Sequence, residues 1–474
     1  MPYQILFAFL LAGLLPACTS TPPPRQCAPT PAAYTITPPE WARNASIYEV
    51  NIRQYSPEGT FKAFEQSLPR LQRMGVGILW LMPVQPIGEL NRKGTLGSGY
   101  SIRDYRAVNP DMGTLADLRH LIEAAHALGL HVILDWVGNH TAWDSKLATE
   151  HPGWFTKTPQ GKFRPPVSDW QDVIDLDYSK PALRQYMREA MSYWVRDVGF
   201  DGFRCDVAGL VPTDFWVAAR QDLEQIKPVF MLAEWDELFP PTFLPPGEFD
   251  PNTHLLEQAF DMTYALRLHG VLDSIGQHKL PMTALNGYLA RERKRYPPSV
   301  YLMTFTTSHD INSWDGSEYE RLGANALPMA VLTATLPGMP MVYSGQEAGL
   351  KKRLSFFDKD TIAWHNYPLA GFYTRLLTLK KQHPALLNGD PCSQFEPLPT
   401  AGSPDVFAFV RRKDAAAVVV AVNVADQARA LPLDKLADGS YRELFTGKIL
   451  RLKAGTTLSL PPHGYQVYER IPEK

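Results

Sequence analysis

Eight short, nearly apolar runs recur along the chain with helical segments between them, and this rhythm constrains the fold more than any other feature. The runs are Ile47–Tyr55, Val76–Val84, His131–Val137, Phe200–Val207, Val229–Trp235, Gln258–Tyr264, Val300–Thr307 and Met339–Tyr343. Strands this uniformly apolar are buried on both faces, as in a parallel sheet covered by helices. Two of the helices between them are plain. Thr114 and Asp117 form a capping box ahead of Leu115, Leu118, Ile122 and Ala125 at helical spacing, and Gly129 stops that run. A second helix runs over Pro181–Val198, with proline in its first turn and Gly199 past its end. Eight strands with helical crossovers predict a (β/α)8 barrel over residues 41–385. A doubly wound open sheet is the competitor, but no glycine-rich phosphate loop follows the first strand.

Two segments break the rhythm. The connection from Gly138 to Lys180 carries Trp143, Trp154 and Trp170 and no clear helix. Connections this long are usually functional, so residues 141–180 are predicted to form a short excursion domain over the barrel mouth. After about Ala385 the pattern turns to short β-type runs at Asp405–Arg411, Ala417–Val424 and Gly464–Arg470. An all-β sandwich is expected over 386–474.

The 474 residues carry a net charge of −2, which argues against a nucleic-acid partner. The 11 Trp, 20 Tyr and 22 Phe can stack on sugar rings or fill cores, and composition alone favours cores. Residues Ile5 to Leu15 form an apolar run too short to span a bilayer, placed where an export signal belongs. The run ends in Leu15-Pro16-Ala17-Cys18, which resembles a bacterial lipoprotein signal over residues 1–18, with Cys18 the lipidated residue, although no Lys or Arg precedes it. An exported, membrane-anchored protein is expected, with a cleaved signal and secretion as the alternative; the membrane is touched only through the lipid. Residues 19–40 read as a Pro- and Thr-rich tether. Cys205 reads as an inert buried thiol, while Cys27 and Cys392 are free to pair without any feature that requires it.

The chemistry gathers at strand ends. Arg204 stands two residues before Asp206, so both project from one face of their strand. An arginine there keeps the aspartate ionised and oriented, as a carboxylate nucleophile requires. Asn139 and His140 follow the third strand, Glu234 ends the fifth, and His309 with Asp310 ends the seventh. Active sites of such barrels lie at the C-terminal ends of the strands. Three carboxylates converging with one Arg and two His would have their proton affinities split apart, which is the requirement for glycoside hydrolysis. Glu234, beside Trp235 and an apolar strand, is the expected proton donor, with desolvation raising its proton affinity.

Four short blocks occur in order: Asp135-Trp136-Val137-Gly138-Asn139-His140, Gly202-Phe203-Arg204-Cys205-Asp206, Glu234, and His309-Asp310. On these blocks residues 41–474 resemble the α-amylase superfamily of glycoside hydrolases. The resemblance implies Asp206 as nucleophile, Glu234 as acid/base and Asp310 as the carboxylate that binds sugar hydroxyls. It implies His140, His309 and Arg204 around the cleaved sugar, with Tyr100 stacked beneath it. Asn139 and Asp175 match positions that supply calcium ligands in many members. A structural calcium ion and a calcium-free network both stay open, and no other cofactor is expected. Starch-like α-glucans or maltooligosaccharides are the implied substrates, cleaved mainly at α-1,4 bonds with retention. Transglycosylation, α-1,6 cleavage, action on cyclomaltodextrins and a non-catalytic carbohydrate-binding protein are the alternatives. Two departures bear on specificity: Ser308 replaces the Asn that usually opens the last block, and Gly209-Leu210 replace a Lys-His pair that contacts the leaving-group sugar. The C-terminal domain shows no paired tryptophans, so packing rather than starch binding is its expected role. Glu347, after the last barrel strand, is expected to be structural.

Overall fold

The computed structural model describes residues 27, 32–236, 249 and 251–472. Cys18, the signal segment and most of the tether lie outside the described residues. Ten strands precede the C-terminal domain: β1 (Ile47–Val50), β2 (Ile78–Leu81), β3 (His131–Trp136), β4 (His140–Ala142), β5 (Val173–Asp175), β6 (Gly202–Cys205), β7 (Phe230–Ala233), β8 (Met262–Tyr264), β9 (Tyr301–Thr304) and β10 (Met339–Tyr343). Eight of them are parallel and close into a barrel in the spatial order β1, β10, β9, β8, β7, β6, β3, β2. The other two, β4 and β5, form an antiparallel pair that frames the excursion between β3 and β6. The capping box at Thr114 and Asp117 is present and opens the helix Leu115–Ala127.

Three elements differ from expectation. The first run is strand only to Val50, because the Asn51 carbonyl accepts from the amides of Gln54 and Tyr55 and turns Ile52–Tyr55 into a helix. Gln258 ends a helix begun after Pro251, leaving β8 only three residues. The helix from Pro181 is regular to Tyr193 and widens into a π turn over Trp194–Val198 before Gly199, at φ 110°.

Beyond the barrel, β11 (Gln394–Pro397), β12 (Val406–Lys413), β13 (Ala416–Asn423), β15 (Gly439–Glu443), β16 (Ile449–Leu452) and β18 (Tyr465–Arg470) form one antiparallel sheet. A second, two-stranded sheet pairs β14 (Arg429–Leu433) with β17 (Thr456–Leu460). Alternation along β12 and β13 decides what packs where. Val406, Ala408, Val410, Val419 and Ala421 meet Leu431, Leu433, Leu458 and Leu460 between the sheets. Phe407, Phe409, Val418, Val420 and Val422 face the other way and join the core that surrounds the barrel. With both faces of its central strands buried, this domain is packed onto the barrel. A disulfide, Cys27–Cys392, ties the N-terminal segment to the start of the domain across a sequence separation of 365. Cys205 is free and buried. Among the described residues no helix is long and apolar enough to cross a membrane.

Candidate active site

Side chains alternate along a strand, so the inward positions Ile47, Ile78, Ile133, Leu232, Met262 and Met303 determine which residues face inward one step further along each strand. That next layer, at the C-terminal end of the barrel, consists of Glu49, Trp80, Asp135, Glu234, Tyr264 and Phe305, with Arg204 from β6 at its centre. Arg204 is fully buried. Its Nη1 lies 2.7 Å from Asp135 Oδ1 and 3.1 Å from Asp206 Oδ1, its Nη2 pairs with Glu234 Oε2 at 2.7 Å, and its Nε donates to the Tyr264 hydroxyl at 3.1 Å. The rings of Trp80, Tyr100 and Tyr264 surround the guanidinium at 5.1, 5.5 and 5.7 Å.

This geometry corrects two expectations. Arg204 does not serve Asp206 alone but is divided among three carboxylates. Desolvation also falls more heavily on Asp206 than on Glu234, whose side chains are 10% and 19% exposed. Burial first, and then the charge of Glu234, push the Asp206 carboxyl well above the usual carboxylate range, with Arg204 opposing. Two carboxylates on one guanidinium compete for its charge, and Asp206, the more buried of them, bears the cost. The backbone contributes as well. Val207 adopts the left-handed region at φ 38°, costly for a β-branched residue, and its N–H donates to Glu234 Oε2 at 3.0 Å.

The two histidines occupy opposite electrostatic settings. His309 Nδ1 lies 2.5 Å from Glu49 Oε1, and its Nε2 meets the Tyr100 hydroxyl at 2.8 Å and Asp310 Oδ2 at 3.3 Å. Burial works against its charge, but Asp310 and Glu49 outweigh burial and hold the imidazolium up to about 9. His140 lies 3.8 Å from Asp206 Oδ2, and burial drives its ring down to about 3, so it is neutral. Tyr100 stacks on His309 and donates to Asp135 at 3.0 Å, whereas the neighbouring Tyr105 donates to the carbonyls of Val137 and His140.

Asp206, Glu234, Asp310, His140 and Tyr100 line a cleft of about 620 Å³. Its rim is aromatic. Trp170 comes from the excursion, Trp314 follows β9, and Phe356 and Phe357 follow β10, with Trp314 54% exposed. Beside Glu234, Gly209 lies flat against Trp235, so close that a Cβ would sit 2.1 Å from the indole. Glu347 lies elsewhere, in a buried network with Tyr48 at 2.6 Å and Arg70 at 2.8 Å.

The calcium expectation meets a poor donor set. Asp175 Oδ2 faces the Arg164 guanidinium at 3.7 Å, and the Asn139 amide lies 3.4 Å from His140 Nδ1. Among the described residues no three acidic, His or Cys side chains converge as a metal site. These residues do not fit a calcium ion as arranged, and no chemistry is derived through one.

The profile of the family "Alpha amylase, catalytic domain" matches residues 41–173 and 166–368, and that of "Maltogenic Amylase, C-terminal domain" matches 395–467. The chain belongs to the alpha-amylase family. It is similar to the crystal structure of an alpha-amylase from Lactobacillus plantarum, 35% identical over 91% of this chain and 100% of that one, with a TM-score of 0.82. A maltogenic alpha-amylase from Thermotoga neapolitana superimposes at a TM-score of 0.80, 28% identical over 91% of this chain and 99% of that one. Among curated sequences it is similar to an alpha-amylase of Haloarcula japonica, 28% identical over 85% of this chain. The chain spans 58% of that relative's length and 52% of the length of a cyclomaltodextrin glucanotransferase from Geobacillus stearothermophilus, 26% identical over 74% of this chain.

Within this alpha-amylase barrel, sequence reasoning missed Glu49, Trp80, Tyr264 and the rim residues Trp314, Phe356 and Phe357, while Trp170 lies in the excursion expected over the mouth. Glu49 had a signal: it is a lone acid at an inward position of a buried strand, which demands a cationic partner. Trp314 and Phe356 had none, since neither sits on a patterned element.

Proposed function

We propose that this chain is a retaining glycoside hydrolase that cleaves α-glucosidic bonds, mainly α-1,4, in starch-like glucans or maltooligosaccharides. The observation that carries this reading is the pairing of Asp206 and Glu234 with one buried guanidinium in an aromatic-rimmed cleft. Asp206 attacks the anomeric carbon while the bond to the leaving oxygen breaks and Glu234 gives that oxygen its proton. This division of roles requires the proton on Glu234 and the charge on Asp206 once a sugar fills the cleft. The Val207 N–H stabilises the Glu234 carboxylate that this transfer leaves behind. Glu234 then deprotonates a water, which attacks the glycosyl–Asp206 ester and releases a product of unchanged anomeric configuration. In this reading Asp310 with the charged His309, and the neutral His140, take sugar hydroxyls, and Tyr100 stacks on the ring, as their positions along the cleft support.

A second reading, transfer to another sugar or action on cyclomaltodextrins, rests on Gly209 and Trp235. An apolar surface next to the acid replaces the charged pair usual in α-1,4-cleaving members. Incubation with maltoheptaose, pullulan and cyclodextrin, with chromatography of products over time, separates these readings. Proton NMR of the first products from maltoheptaose should show α-anomers. Glu234→Gln should lower kcat by about 10²–10⁴-fold. Near-unchanged turnover in Glu234→Gln or Asp206→Asn, or β-anomeric products, overturns the mechanism.

Export and lipid anchoring through Cys18 belong to the same proposal, supported by the Cys27–Cys392 disulfide, which suits an oxidising compartment. Metabolic labelling with palmitate should mark the protein and fail in Cys18→Ser; label that persists in the variant counts against the anchor.

A further inference from the structure

At the opposite end of the barrel from the carboxylates lies a second cavity, of about 720 Å³. Val300 and Leu302 at the start of β9 and Gly338 before β10 form one wall, and Phe395 and Arg411, register partners on β11 and β12, form the other. Arg411 is 3% exposed. Its Nη1 donates to the Thr335 carbonyl at 3.1 Å and its Nη2 to Ser393 Oγ at 2.9 Å, while its Nε has no partner. Arg293 approaches the same cavity, donating to the Phe395 carbonyl at 2.8 Å. Lys380, also buried, donates only to the carbonyls of Gly338 and Leu386.

Among the described residues none of these three cations has a carboxylate partner, while every acid lining the cavity has a cation of its own. Glu292 pairs with Arg267 at 3.2 Å, Asp390 with Lys413 at 2.5 Å and Arg43 at 3.3 Å, and Glu396 with Arg412 at 3.5 Å. A purely structural account has Arg411 capping the helix Ala326–Thr335, whose C-terminal dipole welcomes a cation. That effect is worth about 0.3–1 kcal/mol at a surface and up to ~2 kcal/mol when partly buried, well short of the cost of a buried, unpaired charge. Burial, and then repulsion from Arg293, weaken the hold of Arg411 on its proton, with the more distant charge of Asp390 opposing them. Burial and the charge of Arg411 do the same to Lys380.

We propose that this cavity binds a phosphate-bearing ligand, free phosphate or a phosphorylated sugar, whose oxyanion seats on Arg411 and Arg293. A guanidinium fork matches phosphate oxygens, and several clustered cations favour a divalent anion over a carboxylate. The volume exceeds what a bare anion fills and falls within the range of about 300–1,000 Å³ of small-molecule sites. Binding here supplies a counter-charge at contact, which Asp390, already paired with Lys413 and Arg43, does not.

Calorimetric titration of the full chain with inorganic phosphate, glucose 6-phosphate and glucose, at constant ionic strength, tests this. Saturable binding of the phosphates but not of glucose is expected, weakened at least about tenfold in Arg411→Met and several-fold in the exposed Arg293→Met. Glucose 6-phosphate binding about tenfold tighter than phosphate identifies a phosphorylated sugar; equal affinities identify the free anion. No saturable binding of either phosphate, or the same affinity in Arg293→Met as in the wild type, overturns the proposal, and Arg293→Met decides the matter if Arg411→Met does not fold. Maltoheptaose cleavage should be unchanged in both variants, which keeps this outcome separate from that of the proposed catalytic site.

Discussion

The two ends of one barrel solve opposite charge problems. At the mouth, Glu49, Asp135, Asp206, Glu234 and Asp310 crowd around Arg204 and the charged His309, and the excess negative charge raises the proton affinity of Asp206. At the floor, Arg411, Lys380 and Arg293 meet carbonyls and a hydroxyl but no carboxylate among the described residues. Excess acid can be neutralised from within by protonation near neutral pH. Excess guanidinium cannot, which is the reason the proposed floor site takes an anion from outside. The backbone shows the same asymmetry. At the floor two of the positive-φ positions are Gly202, at 152°, and Gly338, at 142°, where a Cβ would lie 1.9 Å from the Phe230 carbonyl and 2.7 Å from the Leu302 carbonyl. At the mouth a β-branched residue, Val207, takes positive φ, and the amide it aims at Glu234 is what the strain secures.

The sharpest way to break this comparison is to remove the central cation from each end. Arg204→Met leaves the buried carboxylates of Asp135 and Asp206, and the half-buried Glu234, without their partner and should cost about 3–5 kcal/mol of stability in urea unfolding monitored by tryptophan fluorescence. Arg411→Met removes a charge that has no carboxylate within ion-pair distance among the described residues and leaves only the Thr335 carbonyl and Ser393 Oγ without it. Its change should stay within about 1 kcal/mol in either direction, because a repulsive neighbour disappears with the lost hydrogen bonds. Equal losses at the two ends would mean that the floor cations are compensated after all.

The unequal ends are also unequally legible in the sequence. The mouth can be read because its residues stand at the ends of apolar strands, where alternation fixes the facing side, as with Arg204 and Asp206. What the sequence hides is the sharing. No local pattern says that Arg204 reaches Asp135 and Glu234 as well, because those contacts cross from strand to strand and depend on barrel closure. Glu49 is concealed inside a run that reads as strand to Tyr55, and the early turn at Asn51 has only hydrogen-bond geometry behind it. Asn139 and Asp175 have the chemistry of cation ligands, but Arg164, eleven residues before Asp175, faces that carboxylate instead. The floor is invisible. Phe395 and Arg411 meet through β pairing, and Lys380 and Arg293 arrive from helices distant in sequence, so nothing local joins them.

The contrast between ends recurs in miniature within the mouth, between His309 and His140, and pH sharpens it. His309 binds its proton more tightly folded than unfolded, so its contribution to stability is complete below its ordinary value near 6.5 and fades as pH rises from there to about 9. His140 is held neutral, with a folded value near 3, so its contribution is complete above 6.5 and fades as pH falls below it. Each ring contributes a slope approaching about 1.4 kcal/mol per pH unit inside its own window and none outside it. Urea unfolding at closely spaced pH values should therefore show His309→Gln flattening the alkaline side of the stability profile and His140→Gln the acid side. If His309→Gln left the alkaline slope intact, the pair Glu49 and Asp310 would not be holding a charged ring, and the mouth would carry more uncompensated acid than its geometry implies.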